Sequence, residues 1–397
     1  ITNKKKKKIS FDENHRAALA VMPGVPQAVM DYLTLMEEAG GATVSKYKAM
    51  SQRHIDGRLT GALIWNGAGQ TGRFSSMGLQ LHNLRRDSYD EPEELIRSLL
   101  AREVLPEPST TLARLVRSAI YHPQGLSWYD FSGIESRVAP WLSDTKAGRD
   151  KLQLFRDGTD PYRVNAMGTY HVAYDEVTKD QRQIGKVQEL SMQFLGGAGA
   201  LIAMGRNYGM HFTEEQAETL KDAWRATNPW AMDYGKTLNV AAIRAMQDAG
   251  TWKKAGRIYF AYDGEDWLWM KLPSGRLLAY FLPRLEWVDT PWDEEVLAVT
   301  AVWGASKPKV GEDWPRRTLY TGLWIENATQ GTAADLLREA IVRVDDAGLD
   351  IVLHVHDEII VEGYHVERLG ELMLQPPGWA TGLPLEGDGD SGTRYGK

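Results

Sequence analysis

The stretch Ile351-Val-Leu-His-Val-His-Asp-Glu-Ile-Ile-Val361 sets a short polar centre, His356-Asp357-Glu358, between two apolar, β-branched runs. Such runs read as the two strands of a buried hairpin. A carboxylate at the tip of a buried hairpin is costly unless a cation meets it. A second carboxylate, Asp130, ends a predicted strand, with Trp128-Tyr129 before it and Phe131 after it. Taken alone, either aspartate also reads as a turn or cap residue. Two aspartates converging at one sheet end would supply hard oxygen ligands. These favour Mg²⁺, which ordinarily also takes substrate phosphates as ligands.

A third stretch runs Arg182-Gln-Ile-Gly-Lys186-Val-Gln-Glu-Leu190-Ser-Met-Gln-Phe194. Arg182, Lys186 and Leu190 recur every fourth residue and so lie near one face of a predicted helix. A cationic face above paired carboxylates suits a metal-bridged triphosphate; read in isolation, it is a solvated charged face. His354 and His356 form an H-x-H on one strand face that zinc would accept. Zinc needs a further protein ligand, and no other histidine of the nine falls in an obvious ligand pattern. Ser132 and Glu135 have the S-x-x-E spacing of a capping box at the start of a helix that follows Asp130.

The surrounding pattern supplies the elements that must position these groups. Helical spacing covers 27–39 with a stop at Gly40-Gly41, then 92–104, 109–121, 180–195, 213–226 and 230–248. Residues 57–66 look strand-like, Gly67–Ser76 reads as a polar Gly-rich loop, and 256–285 is strand-like with a turn at Pro273-Ser-Gly275. Over Gln330–Val344 the apolar residues line one helix face. After the hairpin come Pro376-Pro-Gly-Trp379 and a loose, acidic, Gly-rich tail. Helices between separated strand groups imply an α+β fold.

Composition narrows the class. The chain has 397 residues, 43% hydrophobic and 25% charged, enough for two or three domains or subdomains. No run approaches the roughly 18 apolar residues of a membrane span. Cysteine is absent, which excludes disulfides and thiolate metal sites. The start lacks both an initiator Met and a signal-peptide core, so a fragment or processed product in the cytoplasm is expected. Net charge is −7, a sign that by itself disfavours nucleic acid. The charge is uneven, however: residues 46–117 are rich in arginine, and local patches govern electrostatic binding. The lysine run Lys4–Lys8 reads as a solvated tail or an accessory phosphate contact.

Several segments, taken in order, resemble the polymerase domain of the family A DNA polymerases (the DNA polymerase I superfamily) of the bacteriophage-encoded type. Thr71-Gly-Arg73-Phe-Ser-Ser76 with Gln80 and Asn83 resembles T-G-R-x-S-S…Q-N. Asp130-Phe-Ser-Gly-Ile-Glu135-Ser-Arg137 resembles motif A, Arg182 to Gly196 resembles motif B, and Val355-His-Asp-Glu358 resembles motif C. Gln330-Gly-Thr-Ala-Ala-Asp335 resembles a further helix start of the family. Together these span roughly three quarters of the chain.

The resemblance implies a right-hand polymerase fold with an antiparallel palm sheet, helical fingers and a partial thumb. It implies a basic flexible tail over 1–10, a thumb remnant over 11–50, palm over 51–140, fingers over 141–315, and palm again over 316–397. Asp130 and Asp357 would hold two Mg²⁺ ions, with the Phe131 carbonyl as a further ligand and Glu358 nearby. One metal would activate the primer hydroxyl and the other would hold the triphosphate. Arg182 and Lys186 would grip the triphosphate, and Lys186 would protonate the leaving group. Glu135 would exclude a 2′-hydroxyl, and Phe194 would stack near the templating position. Arg73, Gln80, Asn83, Gln330 and His356 would contact the DNA, with His356 also near the nucleotide.

Leu190 stands where many members carry Phe or Tyr, which loosens packing against the nucleotide sugar. Phe131 stands where Tyr is common. Gly185 inside the helix is expected to aid bending. The expected partners are a DNA primer-template and deoxynucleoside triphosphates, with a processivity factor or separate exonuclease as further candidates; a monomer and no membrane association are expected. An exonuclease domain and most of the thumb are expected to be missing from this chain or to lie upstream in a longer parent. The alternatives are a single-subunit RNA polymerase, an inactive nucleic-acid-binding relative, and a metal-dependent hydrolase built on the H-x-H.

Overall fold

The computed structural model describes residues 2–3, 8–9, 24–32, 45–85, 87–290, 294–304 and 313–396. Lys4–Lys7 and most of the expected thumb remnant lie outside the described residues; so does the helix expected over 27–39 beyond its first turns at 27–32.

The described chain runs from helix α1 (Ser45–Arg53) into the hairpin β1 (Leu63–Ala68) and β2 (Arg73–Ser76). Helices α2 (Glu93–Leu100) and α3 (Pro108–Leu115) lead to the long strand β3 (Tyr121–Phe131). A helical block follows: α4 (Ile134–Ser143), α5 (Lys146–Arg156), α6 (Pro161–Tyr170), α7 (Lys179–Met192), α8 (Ala198–Asn207), α9 (Glu214–Thr227) and α10 (Pro229–Gln247). A meander comes next, β4 (Lys253–Ala255), β5 (Ile258–Tyr262), β6 (Trp267–Lys271) and β7 (Leu277–Phe281), paired in that order. Strands β8 (Arg284–Asp289), β9 (Glu295–Val302) and β10 (Arg316–Leu319) form a further antiparallel sheet. Helix α11 (Thr321–Asp346) precedes β11 (Ile351–Val355), β12 (Glu358–Glu362), α12 (Val366–Leu374) and β13 (Gly387–Arg394).

The sheet β11-β12-β3-β13 organises the molecule, and each neighbouring pair in it is antiparallel. Its two faces bury different residues, as period-2 side-chain alternation requires. Leu126, Trp128, Leu353, Val355 and Ile360 pack in one core with residues of the 79–84 segment and Tyr395. Ile359 and Val361 face the other, larger core with Leu336, Leu337 and Leu369 from α11 and α12. Among the described residues no helix is long and apolar enough to cross a membrane.

Three local expectations change. The Gly67–Ser76 loop is instead the end of β1, a turn and β2, with a register shift between Ile64 and Ala68. The acidic tail after 380 is not loose, because β13 pairs with β3 along Gly387↔Phe131 to Gly392↔Leu126. Its glycines make this fit: a Cβ on Gly387 would lie 2.3 Å from the Tyr129 ring, and one on Gly389 2.5 Å from it. Gln330 does not start a helix but sits inside the 26-residue α11.

Helix α7 is fixed by its buried side. Glu189, with a fully buried side chain, accepts from Lys151 Nζ (3.1 Å), Asn165 Nδ2 (2.8 Å) and Trp224 Nε1 (3.0 Å). These partners lie on α5, α6 and α9. Burial alone would raise the Glu189 pKa; Lys151, Asn165 and Trp224 outweigh it and hold the carboxyl below its ordinary range. Gly185 permits the same close packing. A Cβ there would lie 2.1 Å from the Tyr162 carbonyl oxygen, and the Gly185 carbonyl accepts from Asn165 Nδ2 at 3.3 Å. The glycine therefore serves helix approach. Gly185→Ala should destabilise the fold by about 1–3 kcal/mol through overpacking. Urea denaturation checks this, and an unchanged midpoint would contradict it.

Candidate active site

The pairing of β12 with β3 sets Glu358 opposite Asp130, and the Phe131 N–H donates to the Asp357 carbonyl at 3.3 Å. Because Val355 pairs with Glu358, His356 and Asp357 form a two-residue turn at the end of the sheet. His356 has φ +55°, in the left-handed region where a non-glycine residue carries a cost of about 1–3 kcal/mol when strained. The two aspartates predicted to converge thus line one cavity, of about 450 Å³. Phe131, Glu135, Lys186 and Leu190 line it too.

Glu135 is not in a capping box. The cap of α4 is Gly133, with no side-chain cap bond, and the Ser132 N–H donates to the Glu386 carbonyl at 2.8 Å. The Glu135 carboxylate instead accepts from Gln193 Nε2 at 3.2 Å and lies 3.7 Å from Arg73 Nη1. Burial raises its pKa, with Glu326 adding to the rise; Arg73, Gln330 and Gln193 oppose it.

Arg73 bridges the cavity mouth. Besides Glu135, its Nη2 lies 3.4 Å from His356 Nδ1, while His356 Nε2 lies 2.8 Å from the His82 carbonyl oxygen. Arginine can only donate, so Nδ1 accepts and Nε2–H donates to the carbonyl. Both nitrogens are thereby engaged, and among the described residues no third His, Cys, Asp or Glu completes a metal group with His354 and His356. His354 is buried, with its ring 4.2 Å from that of Phe74.

Other predicted residues fall elsewhere. Glu358 does not line the cavity; it is 3% exposed and accepts from the Tyr395 hydroxyl, which Arg117 Nη1 contacts at 2.5 Å. Arg182 also stays outside the cavity lining: it pairs with Asp160, its guanidinium 5.3 Å from the Tyr162 ring centre. Phe194 is packed partly buried against the core, its carbonyl so close to α11 that a Cβ on Gly322 would lie 2.3 Å from it. Gln80 and Asn83, joined by a 3.0 Å hydrogen bond, line a second cavity of about 860 Å³. Arg73, His82, Gln330 and His356 are common to both cavities. Lys46 of α1 holds this loop by donating to the Asn83 carbonyl at 2.9 Å.

Residues not singled out from sequence complete the wall. Tyr162 and Tyr208 line the first cavity, with Lys186 Nζ 5.2 Å from the Tyr208 ring centre. Burial pushes the Tyr162 hydroxyl up to about 12. Gln193 was detectable, since 186, 190 and 193 share a helix face. Glu326, four residues before Gln330 on α11, was detectable in the same way. Nothing local marks the two tyrosines.

The mixed fold, with an antiparallel sheet whose end brings Asp130 and Asp357 to one cavity, is that of a polymerase domain. The POL domain of Pol1 from M. smegmatis, solved as a complex with DNA primer-template and dNTP, matches with a TM-score of 0.63 at 19% identity, covering 99% of this chain and 57% of that one. In sequence, a DNA polymerase of Bacillus phage SP02 is 34% identical over 380 residues, 91% of this chain and 56% of the phage protein. DNA polymerase I of Pseudomonas aeruginosa is 26% identical over 261 residues, 64% of this chain and 22% of that protein. No protein-family model matches. The chain belongs to the family A DNA polymerases, and it spans a little over half the length of the phage relative.

The histidines behind the site give a pH signature. His354 is pushed down to about 4 by burial and then by His82; His82 is pushed down to about 4 by burial and then by His356 and Arg73. The folded values lie below the ordinary 6.5, so the unfolded chain takes up protons first as pH falls. The stability these residues confer is complete above pH ~6.5 and lost towards pH ~4. Glu135 and Glu326, both raised chiefly by burial, act in the opposite sense, so a difference is the informative quantity. Wild type should lose more stability across this window than His354→Phe. Thermal melts at several pH values check this, and parallel curves would contradict it.

Proposed function

We propose that this chain catalyses template-directed extension of a primer 3′-hydroxyl with deoxynucleoside triphosphates. The observation that carries the reading is the convergence of Asp130 and Asp357 at one sheet end, in a cavity that Lys186 also lines. The relationship to a phage DNA polymerase supports a role in phage DNA replication.

The donor set fits Mg²⁺. Two carboxylates and the Phe131 carbonyl are hard oxygens. Among the described residues no group of three or more His, Cys, Asp or Glu forms a metal site by itself. An ion completed by water and substrate phosphates needs no such cage. Asp130, Asp357 and the Phe131 carbonyl would hold two ions, which when bound activate the attacking hydroxyl and neutralise charge on the phosphates.

The protein's own groups account for the rest. Lys186 holds the triphosphate by charge and supplies a proton to the departing phosphate oxygen. Arg182 would exchange its part-buried pairing with Asp160 for the phosphates. Glu135, held between Gln193 and Arg73, occupies the space a 2′-hydroxyl would need and rejects ribonucleotides by steric and polar mismatch. Arg73, Gln330 and His356 lie where the two cavities join and would contact the primer end, with Gln80 and Asn83 further along the duplex. Minor-groove acceptors are largely degenerate, so these donors check pair geometry without reading sequence. Leu190 gives the nucleotide sugar an aliphatic contact. In this reading the sheet with α11 is the palm (51–140 and 316–397) and the helical block belongs to the fingers (141–315).

Primer extension with Mg²⁺ tests the proposal. Asp130→Ala and Asp357→Ala should each lower the rate by at least about a thousandfold, since carboxylates that anchor transferring phosphates through metal contribute several kcal/mol. Glu135→Ala should retain extension and admit ribonucleotides. Undiminished extension by either aspartate variant would sink the mechanism, and unchanged sugar selectivity would remove Glu135 from it.

A further inference from the structure

Outside the two cavities, a dense charged cluster ties the meander to α11 and to the β1–β2 turn. Its centre is Asp335 of α11, 4% exposed. The carboxylate accepts from Arg276 Nε (2.6 Å), Arg338 Nη1 (2.7 Å) and Ser274 Oγ (2.5 Å). Ser274 and Arg276 belong to the tight turn between β6 and β7, an element remote in sequence from every predicted site residue. Arg276 Nη2 donates onward to the Thr71 carbonyl (2.9 Å) and the Gly331 carbonyl (2.8 Å). Arg338 Nη2 donates to Asn66 Oδ1 (2.8 Å) and to the Gly72 carbonyl. Both arginines therefore end on the turn that immediately precedes Arg73.

The arrangement is poor as a pure stability device. One carboxylate faces two guanidinium groups, and burial lowers the Arg276 pKa despite Asp335. Charges removed from water in this way are seldom repaid in stability alone. What the cluster does provide is geometry. Arginine's rigid fork binds a carboxylate on one edge and carbonyls on the other. Gly331 is the residue after Gln330, so a single guanidinium spans the two segments that supply Arg73 and Gln330. Arg73 then reaches Glu135 and His356 on two further elements, so a small shift of its turn would break both contacts.

We infer that Arg276, anchored by Asp335, is a positioning residue: it holds the Thr71–Gly72 turn against α11 so that Arg73 and Gln330 meet the primer end in register. The inference rests on the polymerase reading of the site. Arg276→Lys keeps a cation beside Asp335 but cannot serve the carboxylate and both carbonyls together. Arg338→Lys disrupts the same turn from its other side and serves if the first variant melts below assay temperature.

The test is a double-mutant cycle with Arg73→Ala, read as kcat/KM for matched and 3′-mismatched primers. Arg276→Lys alone should lower matched-primer extension and narrow the matched-to-mismatched ratio, each by about tenfold. In the Arg73→Ala background its effect should shrink to within about twofold, as expected for coupled residues. Equal fold-losses in both backgrounds, or no loss in either, would overturn the inference. Hydrogen exchange supplies a readout independent of activity. Arg276→Lys should speed exchange in 63–76 while leaving β3 and β12 unchanged; unchanged exchange in 63–76 would also overturn it. A wild type that extends no primer would defeat the polymerase reading instead, and the exchange experiment would still decide whether Arg276 holds the turn.

Discussion

When β12 lies against β3 with Glu358 opposite Asp130, the turn that opens β12 has to deliver Asp357 to the end of the same sheet. A one-residue slip would turn every side chain of β12 to the opposite face. Ile359 and Val361 would leave the core they share with α11 and α12, and Ile360 would leave Trp128. Apolar burial on both faces therefore selects the register, and the register selects which carboxylates meet. Glu358, adjacent to both aspartates but outside the cavity lining, helps hold the arrangement through Tyr395 and Arg117. The carboxylate pair is thus a consequence of core packing, with His356 in left-handed conformation as the local cost.

A second layer depends on that pair. Helix α7 must present Lys186 and Leu190 to the sheet end, and it does so because its opposite face is locked. Glu189 satisfies its charge on three neighbouring helices, and Gly185 lets α6 come close. The groove side is governed by hydrogen bonds instead. Arg73 reaches Glu135 and His356 at once, and the direction of its donors assigns the His356 proton to Nε2. Two supports of different character, a packed helix and a hydrogen-bonded hairpin, therefore converge on one carboxylate pair.

Much of this was legible in the sequence because its signals are local. Asp357 between two apolar runs, Asp130 at the end of another, and Lys186 and Leu190 at helical spacing each announce themselves within a dozen residues, and their order along the chain carried the family resemblance. Contacts made at long range were not legible. Gly and Asp are poor strand formers, so nothing marked β13; it is a strand by its pairing with β3, and its glycines fit beside Tyr129. The Ser132–Glu135 spacing suggested a cap, but Gly133 takes that place and Glu135 turns to Gln193 and Arg73. Arg182 lies outside the cavity lining, paired with Asp160, a residue well outside the motif. The Asp335 cluster draws on three separated segments, none of which shows its purpose alone.

We propose that Asp130 and Asp357 form one cation-binding pair because the β3–β12 register brings them together. Mn²⁺ binding followed by electron paramagnetic resonance, with deoxynucleoside triphosphate present, measures this without requiring turnover. Wild type should bind more Mn²⁺ than the triphosphate holds by itself, and Asp130→Asn and Asp357→Asn should each abolish that excess. Excess binding that survives either substitution undiminished would show that the two aspartates do not share a cation.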